Sequence, residues 1–298
     1  MNGLTPYLPE DFAEFWQEAV AEANSAPLDA HRSVLDTERS ETHRVEEFTF
    51  RGILGETRHG WIATPRNLRH VPAFLWVPPY SRWSMQPNQY GTRPGYASLS
   101  FNFFGESAFH EETYHPSRGY FADGAGKPKT WIFRSMLQDL VLATRFLAMQ
   151  VEVDENRMGA MGMSQGAGLS IWLAAWDERI KAVCADMPFL GGMPWVFQQA
   201  VHRYPLKELT DFMESIPLGR ESVLFTLSYY DTINQATQCT VPTLVTLGLK
   251  DPAVRPEQAR AVFDALPGEK ELVELDWGHD WHPSMVDRNL AWLTRHMA

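Results

Sequence analysis

The sequence predicts an α/β fold, a mostly parallel sheet with helices on both of its faces. Short apolar runs at 71–77, 157–163, 180–186, 241–248 and 270–275 alternate with stretches of helical length, the pattern of parallel strands joined by helical crossovers. One of them, Val71-Pro72-Ala73-Phe74-Leu75-Trp76-Val77, is apolar throughout, as a strand covered on both faces must be. Another turns straight into a helix through a corner of small residues, Gly162-Met163-Ser164-Gln165-Gly166. Such a strand–turn–helix unit belongs to an α/β sheet and presents its central residue at the sheet's carboxyl edge.

Taken in order, Pro9-Glu10-Asp11-Phe12 starts a helix with acidic residues in its first turn and Phe12, Phe15, Trp16, Ala19 and Val20 on one face. Residues 30–70 alternate in the manner of antiparallel strands, with Val45, Phe48 and Phe50 and then His59-Gly60-Trp61-Ile62-Ala63. After the apolar strand at 71–77 comes Tyr96-Ala97-Ser98-Leu99-Ser100-Phe101 as the next one. A loop rich in Gly, His and Tyr fills 105–129, too long to serve only as a connection. Residues 131–149 are helical, and the glycine corner leads into a second helix from about 169 to 176. The strand Ile180-Lys181-Ala182-Val183-Cys184-Ala185-Asp186 follows. A mostly helical excursion at 188–234 then interrupts the alternation before strand 241–248, helix 259–266, strand 270–275 and a last amphipathic helix at 283–297. No repeat, low-complexity segment or linker divides the chain. One domain over residues 1–298 is expected, with 188–234 as a helical insertion over the active face.

Composition narrows the partners. The chain has 298 residues, 44% of them hydrophobic and 21% charged, enough to bury a substantial core. Its net charge is −11 and no stretch concentrates Lys and Arg, which argues against nucleic acid or an anionic membrane as a partner. Cys184 and Cys239 form neither a disulfide framework nor a zinc spacing and read as buried free thiols of a reducing compartment. The acidic N-terminus has no basic and apolar leader pattern, and no apolar run reaches membrane-spanning length. A soluble cytoplasmic protein is the expectation.

The chemistry gathers around Ser164. A serine hydroxyl is a poor nucleophile at neutral pH and needs a base beside it, with a third group to orient that base. Gly162 and Gly166 give the G-x-S-x-G pattern the lack of bulk that its strained turn demands. The following helix aims N–H groups and the positive end of its dipole at any anion formed there. Asp251 stands just beyond one strand, in Leu247-Gly248-Leu249-Lys250-Asp251-Pro252, and His279 just beyond the next, in Leu275-Asp276-Trp277-Gly278-His279. Serine, acid and histidine thus come in order at three strand ends on one sheet edge. Asp276 competes as the acid but lies too close to His279 to reach round its ring; Asp280 reads as facing solvent or tethering the loop, and His282 as a surface or helix-entry residue rather than a second base. His110-Glu111-Glu112-Thr113-Tyr114-His115 hints at zinc, yet its histidines are five apart and would not share a helix face. An oxyanion needs donors. The N–H of Gln165 is one, and because Pro78 and Pro79 have no N–H, Tyr80 offers the first after strand 71–77, unless it is only a rim aromatic.

These residues resemble the acetyl xylan esterase and cephalosporin C deacetylase family, carbohydrate esterase family seven. The resemblance rests on Pro9-Glu10-Asp11-Phe12-Ala13-Glu14-Phe15-Trp16, Gly119-Tyr120, Val153-Asp154-Glu155-Asn156-Arg157 and the Ser-Gln-Gly corner. Further along it rests on Ala185-Asp186-Met187-Pro188-Phe189-Leu190, Tyr229-Tyr230-Asp231, Gly248-Leu249-Lys250-Asp251 and Gly278-His279. It implies an α/β-hydrolase fold, hydrolysis of short acyl esters without metal or cofactor, and a ring-like homohexamer. It also implies a triad of Ser164, Asp251 and His279, with an oxyanion hole from the amides of Tyr80 and Gln165. Three motifs depart from it: Pro78-Pro79-Tyr80 replaces His-Gly-Tyr, Phe104-Gly105-Glu106-Ser107 replaces Arg-Gly-Gln-Gly, and His279-Asp280 replaces His-Glu. The expected function is a serine esterase removing acetyl or similar groups from a sugar or small alcohol. Trp195, Phe197 and Tyr230 would wall its pocket, if they are not simply core. Rival readings are a dienelactone-type, aryl or polyester esterase, a small peptidase, or a binding module on the same fold without turnover.

Overall fold

The structure is a computed structural model, and it describes every residue except 1, 2, 36–38, 81–85, 106, 110–117, 202 and 298. The chain opens with helix α1 (Phe12–Ser25), whose apolar face, Phe12, Phe15, Trp16, Ala19, Val20 and Ala23, is buried as its spacing requires. Burying each large side chain of that face stabilises the fold by roughly 1.5–3 kcal/mol. Trp16 also donates from Nε1 to the carbonyl of Tyr229 at 2.8 Å, so the helix is keyed to a segment more than two hundred residues away.

Strands β1 (Ala30–Val34), β2 (His43–Arg51) and β3 (Thr57–Pro65) follow, then β4 (Val71–Val77) and β5 (Ala97–Phe101). Helix α2 (Ile132–Ala148) leads to β6 (Val153–Met163), α3 (Gln165–Trp176) and β7 (Ile180–Asp186). Four helices, α4 (Met193–Val196), α5 (Leu206–Ser215), α6 (Gly219–Tyr230) and α7 (Thr232–Ala236), precede β8 (Thr243–Gly248). Helix α8 (Pro256–Ala265), β9 (Lys270–Leu275) and α9 (Ser284–His296) complete the described chain.

The strands form one sheet in the order β1-β2-β3-β5-β4-β6-β7-β8-β9. The pairings β1/β2, β2/β3 and β3/β5 are antiparallel and the other five parallel. This is a mostly parallel α/β sheet with an antiparallel edge. The alternation at 30–70 gives the antiparallel strands, and the unbroken apolar run of β4 sits at the centre, with Leu75 facing Leu99 on one side and Ala160 on the other. Helices cover both faces, but unevenly. The side chains of α1, α2, α3 and α8 pack on one face. On the other, Trp292 and Leu293 of α9 join Tyr96 and Trp281 over Trp76, Met161 and Cys184.

Register brings the strand ends together. Met163 at the end of β6 pairs with Asp186 at the end of β7, Asp186 with Thr246 of β8, and Gly248 of β8 with Leu275 of β9. The loops after these strands therefore emerge on one edge. Helix α3 begins at Gln165, four residues earlier than the sequence suggests, because Ser164 itself is its N-cap. Among the described residues no helix is long and apolar enough to cross a membrane.

Candidate active site

Ser164 stands between β6 and α3 with φ 57° and ψ −118°, a backbone conformation that non-glycine residues avoid and that costs on the order of 1–3 kcal/mol. Its surroundings hold it there. Its N–H donates to the carbonyl of Asp186 at 2.9 Å, and its own carbonyl accepts from the N–H of Phe189 at 3.1 Å. The flanking glycines leave room for a close approach. A Cβ on Gly162 would lie 2.6 Å from the carbonyl oxygen of Val77, and one on Gly166 only 2.1 Å from it. The end of β4, and with it Pro78-Pro79-Tyr80, is thus pressed against the corner that carries the serine.

Two more loops complete the arrangement. After β8 and β9 the chain is stitched across the gap by the N–H of Lys250, which donates to Trp277 at 2.9 Å. Gly248 is equally close, since a Cβ there would sit 2.7 Å from the Trp277 carbonyl and 2.8 Å from that of Gly278. Asp251 is buried, and its Oδ1 accepts from the N–H groups of Ala253 at 2.7 Å and Val254 at 2.9 Å. Its Oδ2 lies 2.6 Å from His279 Nδ1, and His279 Nε2 lies 3.0 Å from Ser164 Oγ. The three side chains expected to act together are in hydrogen-bond contact in the sequence serine, histidine, aspartate. A proton can pass from the hydroxyl to the imidazole while the carboxylate fixes the ring and its tautomer.

The competing acids and histidines lie elsewhere. Asp276 is exposed and pairs with Lys250 at 2.8 Å. Asp280 sits on the rim, its Oδ1 accepting from the N–H of Trp281 at 2.8 Å. His282 turns its Nδ1 to Ser284 Oγ at 2.8 Å and its ring to the edge of Trp277. The histidine segment 110–115 lies outside the described residues, as does Glu106. Both cysteines are buried free thiols, and burial pushes the Cys239 thiol up to about 11.

The serine opens into a cavity of about 1010 Å³. Tyr80, Met163, Ser164, Phe189 and His279 line it, together with Trp195, Val196 and residues 203–206 of the helical excursion and with Arg255 and Trp281. Of the three aromatic residues expected to wall it, Trp195 does so, and the other two require correction. Phe197 is buried and is not among the described residues lining the cavity. Tyr230 is 0% exposed. Its ring packs against Trp16, Trp131 and Trp172, and its hydroxyl donates to the carbonyl of Pro128 at 2.5 Å, so the end of α6 turns inward and makes it core. The neighbouring Asp231 does help the wall. Its carboxylate accepts from the N–H groups of Gly192 at 2.9 Å and Met193 at 2.7 Å, fixing the start of α4 on which Trp195 is carried.

Sequence reasoning missed the support beneath Tyr80 and Gln165. Glu208 of α5, 2% exposed, accepts from the Tyr80 hydroxyl at 2.7 Å, from the N–H of Gly119 at 2.8 Å and from the N–H of Phe121 at 2.9 Å. Tyr120 donates from its hydroxyl to Gln165 Oε1 at 3.0 Å, and its ring lies 4.3 Å from that of Phe104 and 4.8 Å from that of Tyr80. Phe104 stands where the resembling family has arginine, so an aromatic stack packs this side of the site. Nothing in the sequence marks Glu208, which looks like any acid on an amphipathic helix.

Comparison with known proteins gives a consistent result. The acetyl xylan esterase (AXE1) family model matches residues 4–296. The acetyl esterase Axe7A of Xylanibacter ruminicola is 22% identical over 98% of this chain and 69% of its own length. The acetyl xylan esterase from Paenibacillus sp. R4 superposes with a TM-score of 0.87 at 26% identity, over 99% of this chain and 98% of that one. Acetyl xylan esterase 1 from Thermoanaerobacterium sp. JW/SL YS485 superposes with a TM-score of 0.85 at 24% identity, over 99% and 96%.

Proposed function

The chain belongs to the acetyl xylan esterase family, and from that premise we propose that it is a serine esterase in which Ser164, His279 and Asp251 remove acetyl groups from sugar or small-alcohol esters. The observation that carries this reading is the continuous hydrogen-bonded run from Ser164 Oγ through His279 to Asp251, at 3.0 Å and 2.6 Å. Ser164 Oγ attacks the ester carbonyl as His279 Nε2 takes its proton, and Asp251 stabilises the imidazolium. The backbone N–H groups of Tyr80 and Gln165 receive the oxyanion of the tetrahedral intermediate. Collapse breaks the carbon–oxygen bond to the alcohol, which leaves with the proton from His279. Water, deprotonated by the same imidazole, then attacks the acetyl-serine and releases acetate. No cofactor enters.

Residues 1–298 act as one domain on this reading, and 188–234 serves as the insertion that builds the cavity wall carrying Trp195. The two buried free thiols support a reducing, cytoplasmic setting, and the resemblance at the sequence level supports a homohexamer, whose size light scattering on the purified protein checks directly.

Hydrolysis of p-nitrophenyl acetate, butyrate and octanoate by the wild type and by Ser164→Ala tests the function. Acetate should be preferred, and the variant should lose roughly 10⁴ to 10⁶ in kcat. A preference for octanoate would remove the deacetylase assignment, and activity surviving in the variant would remove Ser164 as nucleophile.

A further inference from the structure

The cavity, at about 1010 Å³, is far larger than an acetyl group needs, so most of it receives the alcohol part of the ester. Its charge runs against that of the chain. In a protein of net charge −11, two arginines, Arg203 and Arg255, line this cavity. Arg255 is half-buried, and its guanidinium carbon lies 5.5 Å from the centroid of the Trp195 ring, over the ring's face. Every hydrogen bond it makes among the described residues is through its backbone, as in the 3.1 Å bond from its N–H to Gln258 Oε1. Several arginines elsewhere are matched with acids, Arg32 with Glu46, Arg58 with Asp139, Arg157 with Asp154 and Arg179 with Asp177, while Arg93 and Arg145 donate from their side chains to backbone carbonyls. The Arg255 guanidinium has no carboxylate among the described residues in ion-pair range.

A guanidinium lying over an aromatic ring has used one π-face and none of its in-plane N–H donors. Stacking therefore restrains the group and leaves its fork, the geometry that pairs with two carboxylate oxygens, for something entering the cavity. The charge balance selects the class of anion. Asp280 on the same rim disfavours a doubly charged phosphate, whereas a single carboxylate matches one ordered guanidinium.

Resting on the esterase reading, we propose that Arg255, held over Trp195, binds a carboxylate on the alcohol part of the substrate. The substrates are then acetyl esters of acidic sugars and related hydroxy acids. Arg255 is a specificity residue on this account: it touches the substrate away from the reacting carbonyl and leaves the bond-breaking steps as described.

The test compares three esters: an O-acetylated methyl glucuronoside, the same compound with its carboxylate converted to a methyl amide, and an O-acetylated methyl glucoside 6-phosphate. The wild type should favour the acid over the amide by about tenfold in kcat/KM, the size of one charge-assisted contact at a partly solvated site. The difference should lie in KM and shrink as salt is raised. In Arg255→Gln the ratio of acid to amide should approach one, and Arg255→Lys should keep only part of it. Because the two esters are compared within each enzyme, a general loss of activity does not imitate the effect. Should Arg255→Gln fail to fold, inhibition of the wild type decides: glucuronate should inhibit more strongly than glucuronamide. Equal hydrolysis of acid and amide by the wild type, or a preference that survives in Arg255→Gln, overturns the inference. Preference for the phosphate over the carboxylate overturns the choice of anion. If p-nitrophenyl acetate is turned over without any acid preference, this inference alone fails. If no acetyl ester is hydrolysed, the esterase reading fails and takes this one with it.

Discussion

At the scale of single residues the site depends on close approaches that admit little substitution. Gly166 has the carbonyl oxygen of Val77 and, 3.0 Å from a built Cβ, that of Pro78 as neighbours, both of them backbone rather than flexible side chain. Gly166→Ala should therefore destabilise the protein by about 3 kcal/mol, the upper end of ordinary overpacking. Urea unfolding measures this, and a variant as stable as the wild type would show that β4 and the serine corner can separate at little cost. Asp251→Asn poses the complementary case, since the amide fits the same space but cannot hold the imidazole in the tautomer that accepts the serine proton. Its kcat should fall by roughly 10⁴ with stability little changed, as steady-state kinetics beside a thermal melt will tell. Ser164, Asp251 and His279 are legible in the sequence because each must stand just past a strand, and strands announce themselves as apolar runs. Glu208 and Tyr120 are not legible, because their roles come from what lies across the fold from them. The same limit explains Tyr230: an aromatic residue advertises its size in the sequence, not the direction in which its helix turns it.

At the scale of elements, α5 supports the loop that follows β4. Glu208 gathers three donors, from Tyr80, Gly119 and Phe121, and so ties that loop to the segment before α2. Glu208→Ala would leave those donors unmatched unless the loops open to water. Stability should fall by about 2–4 kcal/mol. If the Tyr80 amide serves the oxyanion, kcat should fall by about 10²-fold with a smaller change in KM. Lys207→Ala on the same helix is the control, because the Lys207 ammonium makes a half-exposed pair with Asp211 one turn away and a distant contact, 6.0 Å, with the Tyr204 ring, and touches none of the three donors. It should change neither quantity measurably. A Glu208→Ala enzyme with normal kcat would show that the loop holds its place without α5. Helix existence was readable from spacing, and its boundaries less so. Helix α3 begins four residues early because a positive-φ serine forms its N-cap, and that conformation is imposed by Val77, Asp186 and Phe189, all remote in sequence.

At the scale of the whole molecule, the sheet binds its active edge to its far face through a buried acid. Asp186 ends β7, its backbone carbonyl accepts the N–H of Ser164 at 2.9 Å, and its Oδ2 accepts from Asn289 Nδ2 of α9 at 2.9 Å. The residue is 1% exposed, and burial pushes its carboxyl up to about 6, against the opposing pull of the Asn289 amide and the Arg93 charge. The native state therefore holds the Asp186 proton to higher pH than the unfolded chain, whose carboxyl titrates near its ordinary value of 3.8. Between these two values the folded form binds more protons, so this group's contribution to stability is fully present below pH 3.8 and is lost as pH rises through about 6. That difference in acidity corresponds to about 3 kcal/mol. Acids lowered by arginine partners, such as Glu152 beside Arg32, pull the other way, so the whole curve does not isolate Asp186. The difference between two proteins does. Asp186→Asn keeps an acceptor for Asn289 and removes the titration, so its stability relative to wild type should rise between about pH 4 and pH 6 and level off above. Urea unfolding of both proteins at half-unit steps from about pH 4 to pH 7.5 gives that difference. Two curves that stay parallel throughout would mean that Asp186 keeps its ordinary acidity inside the fold, with solvent or Arg93 compensating its charge.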